Sequence, residues 1–450
     1  MNRPRVVIVG GGFAGLAAAR ALRGQAADVV LIDKRNHHIF QPLLYQVATA
    51  LLAPADVTAP IRQLSSNQPN LSVILGDVVD IDSQQRSVEV QTARGDHQRI
   101  GFDYLVLAPG MQVNYFGHEE FAAHAPSLKT IADAESIRTK ILSAFELAEI
   151  CDDPEDRASL LTFVLVGAGP TGVELAATVA GLARSTLRSN FRRIDPATSR
   201  IVLVEAGPRI LPTFDEALAA KAAKKLARLG VEVLVGAKVE RIDARGVLAG
   251  GRPVASATVL WTAGVAPSPI LKQLRAQSDR AGRIIVGPTL EIPGRLGIFV
   301  VGDAAALAPD GRQLPGVAQV AIQQGRYVGK LIADRTKNRT LSAPFRYFDR
   351  GNMAIVGKNF ALLDSRWLRL SGYFAWLIWG TIHLMSLPQA QNRMRVGRQW
   401  LWWQFTNQRS SRIIPEHAES IPTASASVPS NPTAIPPESQ VPRELELQHG

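Results

Sequence analysis

A chain of 450 residues is too long for one hydrophobic core and divides into two or three domains. With 46% hydrophobic and 20% charged residues and a net charge of +11, it reads as an ordinary globular protein with some excess of exposed apolar surface. The single cysteine, Cys151, excludes a disulfide framework, a cysteine-rich metal site and a redox-active thiol pair, and the eight histidines show no ligand spacing, so no metal is expected.

In chain order, the first strand is expected from Arg5, with no charged and apolar leader before it, which suggests a cytosolic chain. It runs into Val-Val-Ile-Val-Gly-Gly-Gly-Phe-Ala-Gly (6–15), where Gly10, Gly12 and Gly15 have the G-x-G-x-x-G spacing. In a strand–turn–helix context the first glycine makes the turn and the second lets backbone approach a pyrophosphate. The third packs helix on strand, while the helix N-terminus faces the anion. Val-Val-Leu-Ile-Asp ends 18 residues later at Asp33, placed to accept hydrogen bonds from an adenosine ribose. His37 and His38 are adjacent, so in an extended segment they point opposite ways.

A second fingerprint, Phe-Val-Leu-Val-Gly-Ala-Gly-Pro-Thr-Gly (163–172), carries Gly167, Gly169 and Gly172. One such motif is a weak signal; two argue for two dinucleotides on one chain. The second acid, Glu205, follows Gly172 by 33 residues, and the excess over the usual ~20 falls in the polar, basic stretch 187–200, expected as a loop insertion. Glu205 would repel a 2′-phosphate, which favours NADH over NADPH. Further strands are expected at 104–108, 257–263 and 297–301, the last running into Gly302-Asp303. The order suggests an α/β fold of two Rossmann-like domains, one inserted in the other. The first domain takes 1–118 and 285–345, and the second 119–284.

The run 365–415 contains no Asp or Glu, seven Arg and six of the seven Trp. Two amphipathic helices separated at Pro388 and lying in a membrane interface would fit it, tryptophan at headgroup level and arginine near anionic lipid. A dimerisation surface is the alternative. Nucleic acid does not suit a nucleotide-cofactor enzyme. The apolar stretch 373–387 is too short to span a bilayer. Residues 416–450, rich in Pro, Ser, Glu and Ala, are expected to be a disordered tail.

The chain resembles a type II NADH dehydrogenase, the single-subunit NADH:quinone oxidoreductase of the two-dinucleotide-binding-domain flavoprotein superfamily, from residue 5 to about 412. The superfamily frame is the paired glycine motifs, Leu-Val-Leu-Ala-Pro-Gly (105–110) and Val-Gly-Asp (301–303). The family-specific stretches are His-Ile-Phe-Gln-Pro-Leu-Leu-Tyr-Gln-Val-Ala (38–48), Gly-Pro-Thr-Gly-Val-Glu (169–174), Pro-Arg-Ile-Leu-Pro (208–212) and Ala-Gln-Val-Ala-Ile-Gln-Gln-Gly (318–325). Pro109 departs from the superfamily's usual threonine.

The resemblance implies an FAD domain interrupted by an NADH domain, with membrane-binding C-terminal helices in 346–415. Gly10, Gly12, Gly15 and Asp33 would hold the FAD adenosine diphosphate, Asp303 its ribityl chain, and Gln41 would lie near the flavin. Gly167, Gly169, Thr171, Gly172 and Glu205 would hold NADH, with Ala263 and Gly264 allowing the nicotinamide to stack. Glu174 would point to the nicotinamide–flavin junction. Gln319 and Gln323, on one helical face, would line the quinone entrance; a solvated helix face is the plainer reading of that pair. Glu174, Lys358 and His383 are candidates for proton supply to the quinone. The implied partners are NADH, a membrane quinone, an anionic lipid surface at the cytoplasmic face of the inner membrane and a second copy in a homodimer. The implied reaction does not pump protons. The alternative enzyme is a soluble NADH-dependent reductase of the ferredoxin or rubredoxin type, and a flavin-binding redox sensor keeps the same fold.

Overall fold

The computed structural model describes residues 3–309, 311, 313–339 and 343–416, so the expected tail lies outside the described residues beyond Glu416. The first sheet has the order Ile298–Val300, Tyr104–Leu107, Arg5–Val9, Asp28–Asp33, Leu71–Asp82, Ser87–Thr92, His97–Gly101. Its first five strands are parallel and the last two form an antiparallel extension. Val6, Val7, Ile8 and Val9 are all buried, because helices or loops cover both faces of a parallel sheet and the central strand is a continuous apolar run. The helix Phe13–Ala21 leaves that strand and packs against Ala318–Arg335. The contact is close because it is glycine-lined: a Cβ added at Gly325 would lie 2.0 Å from the Ala14 carbonyl oxygen.

The second sheet orders Val231–Leu234, Arg200–Val204, Thr162–Val166 and Thr258–Trp261, all parallel. Beside it lies an antiparallel meander of Val239–Asp243, Gly246–Ala249 and Arg252–Ala255. The chain passes between the two sheets through Met111–Val113 and Val265–Pro267, which pair antiparallel with each other. It returns to the first core earlier than residue 285. The short turn Pro269–Leu274 already buries Leu271 and Leu274 there, and the Gln273 amide brackets the strand backbone at Val79 and Ile81. The stretch 187–200 holds only a short 3₁₀ turn, Pro196–Thr198. It is tied down by Glu149, which accepts from the backbone N–H groups of Arg192, Arg193 and Ile194.

The C-terminal region begins with a sheet that the sequence did not disclose: Asn352–Ile355, Ala361–Asp364 and Arg369–Gly372. Two helices follow, Tyr373–Ser386 and Ala390–Thr406, broken at Pro388 as expected. Each is two-faced. Ala375, Trp379, Leu387 and Val396 are buried in the same core as Phe145, Phe163 and Leu44, while Phe374, Leu377, Met385, Leu401 and Phe405 are exposed. Among the described residues no helix is long and apolar enough to cross a membrane.

The seven arginines of this region do not form one basic face. Arg369 pairs with Asp215 at 2.9 Å and with Asp364 at 3.4 Å, and Arg409 is buried. Arg366, Arg395 and Arg398 are exposed.

Candidate functional site

The two glycine motifs build the same constellation twice. Gly10 and Gly167 have φ of 103° and 100°, and their N–H groups donate to Ile32 and Val204 of the neighbouring strands, each at 2.8 Å. Only glycine adopts that turn without strain. At the third position, a Cβ on Gly15 or Gly172 would sit 1.8 or 1.9 Å from the carbonyl oxygen of Gly10 or Gly167. At the second position, Gly12 and Gly169, a Cβ would meet no protein atom within 4 Å. These two glycines open onto empty space at a helix N-terminus, as a cradle for an anion requires.

The strand-end acids close each loop. Asp33 accepts from the N–H of Gly11 at 2.6 Å and of Arg35 at 2.8 Å. Glu205 accepts from the N–H of Ala168 at 2.7 Å and of Gly207 at 2.7 Å. Both carboxylates therefore lie beside their glycine turns.

A cavity of about 680 Å³ runs along the first motif. It is lined by Gly10, Gly12, Asp33, Gln41, Thr171 and Asp303, bringing the expected FAD residues together with one residue of the second motif. Gly15, within the helix Phe13–Ala21, packs against the Gly10 turn and is not on the wall. Gly167, Gly169, Gly172, Glu205, Ala263 and Gly264 belong to the second domain's side, where Gly264 accepts from Asn114 of the crossing strand at 3.3 Å. A Cβ on Gly167 would press on Ala263 at 2.7 Å, so these two turns touch.

Sequence reasoning missed Lys129. It lines the cavity, burial lowers its ammonium pKa, and Asp303 opposes that shift. Burial likewise raises Asp303, against Lys129 and Arg283. A legible signal stood next to it: Thr130 and Asp133 cap the helix Ile131–Ile150 reciprocally. Thr130 Oγ1 accepts from Asp133 N–H at 3.1 Å, and Asp133 accepts from Thr130 N–H at 2.8 Å. That box directs the start of a 20-residue helix at the cavity wall.

Glu174, on the helix Pro170–Gly181, is buried and accepts from Ile355 N–H at 3.3 Å. Burial pushes its carboxyl up to about 8, and the Ile355 hydrogen bond only partly offsets this. It is therefore mostly protonated at neutral pH. Between 4.5, the ordinary value, and about 8, the folded chain holds a proton that the unfolded chain has released. The neutral acid's advantage is complete below that window and is lost as pH rises through it. Glu174→Gln removes the dependence and should stabilise the protein by on the order of 3 kcal/mol at pH 7, with no effect at pH 4. Thermal melts of parent and variant across this range check the sign, and parallel melting temperatures at every pH would contradict it.

The other proton candidates are engaged differently. Lys358 donates to the Gln404 carbonyl at 2.7 Å and to Asn407 Oδ1 at 2.7 Å, capping the C-terminal end of Ala390–Thr406. His383 donates Nδ1–H to the Trp379 carbonyl at 2.8 Å and stacks on that indole; burial lowers its pKa to about 4, so it is neutral. Lys358 thus serves as a helix cap and is not among the residues lining the cavity.

Gln319 and Gln323 do share a helical face, but their amides are not free. Gln319 donates to the Gly351 carbonyl and accepts from Arg350 N–H, at 2.9 and 3.3 Å. Gln323 donates to the Phe348 carbonyl and accepts from its N–H, both at 2.9 Å. Together they clamp the backbone of 348–351 to the helix, and they are neither a solvated face nor part of the large cavity's lining.

Residues 4–325 match the family model for pyridine nucleotide-disulphide oxidoreductases. The type II NADH:quinone oxidoreductase Ndh of Mycobacterium tuberculosis is 42% identical over 426 residues, covering 92% of this chain and 91% of that protein. The internal alternative NAD(P)H-ubiquinone oxidoreductase A1 of Arabidopsis thaliana mitochondria is 30% identical, with 89% and 84% covered. In fold, the structure of NDH2 from Plasmodium falciparum in complex with NADH superposes with a TM-score of 0.84 at 19% identity, over 92% of this chain and all of that one. The sulfide:quinone oxidoreductase of Aquifex aeolicus follows at 0.67 and 18% identity, over 90% and 92% of the two chains. With two glycine cradles, two strand-end acids and this degree of identity, the chain belongs to the type II NADH:quinone oxidoreductases, within the pyridine nucleotide-disulphide oxidoreductase superfamily.

Proposed function

We propose that this chain oxidises NADH and reduces a membrane quinone without pumping protons. The observation that carries the reading is the doubled cradle, two glycine motifs whose second positions, Gly12 and Gly169, are both open. The first cradle fits FAD: Gly10, Gly12, Gly15 and Asp33 would hold its adenosine diphosphate, and Asp303, Lys129 and Gln41 would face the rest. When bound, FAD supplies the two-electron redox chemistry. Gly167, Gly169, Thr171, Gly172 and Glu205 would bind NADH, and the small residues Ala263 and Gly264 leave room for its nicotinamide.

Glu174 is the group that holds a proton where quinone reduction consumes one. Gln319 and Gln323 act on the quinone side by fixing the 348–351 backbone. The outward faces of Tyr373–Ser386 and Ala390–Thr406 rest on the lipid surface at the cytoplasmic face of the inner membrane, where a lipophilic quinone is held. A second copy pairing through those faces in a homodimer is the competing arrangement, and oligomeric state with and without detergent separates the two.

Anaerobic stopped-flow mixing tests the reaction. NADH should bleach the flavin of the holoenzyme, and a quinone should restore it. Reoxidation by a ferredoxin or rubredoxin but not by quinone would replace this reading with the soluble-reductase one. Glu205 sets the nucleotide choice. A 2′-phosphate against a carboxylate already held by two N–H groups loses at least about 1.4 kcal/mol, so kcat/KM for NADPH should be at least about tenfold below that for NADH. Equal values would remove Glu205 from the ribose.

A further inference from the structure

The loop after Met111–Val113 sets two aromatic side chains in opposite environments. Tyr115 is buried, its ring 5.0 Å from that of Trp261 and its hydroxyl donating to the Ala125 carbonyl at 2.9 Å. Phe116, the next residue, is 63% exposed. Its φ is 57°, a left-handed backbone that disfavours a side chain with a bulky ring. The surroundings impose that conformation. Asn114 Oδ1 accepts from Phe116 N–H at 2.8 Å, and the Asn114 carbonyl accepts from Trp261 Nε1–H at 3.2 Å. A turn with no task for its side chain is better served by glycine or asparagine. An exposed phenyl ring held against its own backbone preference points to something that the ring meets.

What it meets follows from where it is held. The ring lies against Gly264, where an added Cβ would come within 2.7 Å of one ring carbon. Gly264 adjoins Ala263, which touches the Gly167 turn of the second cradle. The strand that leads into Phe116 belongs to the first cavity, whose wall includes Met111, Gln112 and Val113. Phe116 thus joins, by chain and by contact, the wall of one nucleotide site to the turn of the other. The order of the second sheet tells which end of a dinucleotide arrives there. Arg200–Val204, with Glu205 at its tip, lies on one side of the central strand Thr162–Val166, and Thr258–Trp261, leading to Gly264, lies on the other. A dinucleotide that crosses the carboxyl ends of these strands with its adenosine ribose at Glu205 carries its nicotinamide to the Gly264 side.

We propose that Phe116 is a nicotinamide-contact residue, its ring packing against the nicotinamide of bound NADH beside Gly264. The proposal rests on the second cradle being the NADH site. It gives the left-handed turn a purpose: Tyr115 and Asn114 fix the loop, and the turn aims the next ring outward. A ring already fixed in place loses little freedom when the nucleotide arrives, so more of the contact is realised as affinity. It also accounts for glycine at 264, since any side chain there would displace the ring.

The test titrates the oxidised holoenzyme calorimetrically with two probes that do not reduce flavin: NAD⁺, and ADP-ribose, which is the same molecule without its nicotinamide. Phe116→Asn removes the ring and keeps a residue suited to the left-handed turn. It should weaken NAD⁺ by about three- to tenfold, the scale of one aromatic contact, and leave ADP-ribose unchanged. Phe116→Tyr keeps the ring and should bind both probes as the parent does. In stopped-flow mixing, Phe116→Asn should need correspondingly more NADH to reach half the limiting rate of flavin reduction, while reoxidation by quinone stays unchanged. Equal weakening of both probes, or of neither, overturns the proposal. If Phe116→Asn melts well below the parent, Phe116→Gly, which suits the turn better still, is judged by the same two probes. Gly169→Val tests the underlying reading separately and should abolish ADP-ribose binding. ADP-ribose that still binds this variant would remove NADH from the second cradle, and the two probes would still decide whether Phe116 meets the nicotinamide.

Discussion

Gly12→Val should give a folded protein that purifies colourless, where the parent carries one non-covalent FAD. The substitution is tolerable to the chain itself. Gly12 caps the helix Phe13–Ala21 with φ of −76°, open to any residue, and a Cβ there meets no protein atom within 4 Å. The added isopropyl group therefore takes only the space where a pyrophosphate would meet the helix N-terminus. Gly15→Val is the instructive contrast, since its Cβ would lie 1.8 Å from the Gly10 carbonyl oxygen and should unfold the domain. Flavin absorbance per chain after desalting, read beside a thermal melt, separates the two. A normal flavin spectrum in Gly12→Val would remove the first motif from the cofactor site.

The second large effect concerns lipid. Replacing Phe374, Leu377, Met385, Leu401 and Phe405 with serine should release the protein from anionic liposomes while its fold and its NADH oxidation with a small soluble acceptor persist. All five are exposed, Phe405 at 80% and Phe374 at 74%, so no core contact is lost. At about 1 kcal/mol or more for each side chain withdrawn from lipid, the five together lower partitioning by at least about a thousandfold. Activity with a long-tailed quinone should fall with it. Salt should weaken binding of the parent only in part, because Arg366, Arg395 and Arg398 are free to meet headgroups whereas Arg369 and Arg409 are committed within the protein. Flotation of the five-site variant as efficient as the parent's would defeat this placement. Truncation before residue 365 is the wrong experiment, since it strips Trp379, Leu387 and Val396 from the core.

What the sequence disclosed follows from what is local. A glycine spacing, a β-branched strand and an acid at its tip form one uninterrupted stretch, so both cradles and the partners Asp33 and Glu205 were readable. The helix break at Pro388 was readable because proline removes a donor and fixes φ. The sheet Asn352–Gly372 was not, because its strands are only four residues each and gain their burial from the neighbouring domain. The roles of Gln319, Gln323 and Lys358 turn on which distant carbonyl each amide or ammonium finds, 25 to 49 residues away, and no periodicity encodes that. Lys129 was hidden for the same reason, since its importance comes from a cavity assembled by other segments.

Arg409 also bears on how the chain is made. Its two hydrogen bonds span 360 and 231 residues, to the ends of elements in the first and second nucleotide domains. Asn392 adds three more, to the carbonyls of Ala55, Asp56 and Thr58. During synthesis, both nucleotide domains leave the ribosome long before the residues that staple them together. Until then, the apolar residues awaiting Trp379 stand open, and the nascent chain depends on protection from aggregation up to its last stretch. The finished protein should correspondingly lose structure in a single cooperative transition, with no stage in which one nucleotide domain survives the other.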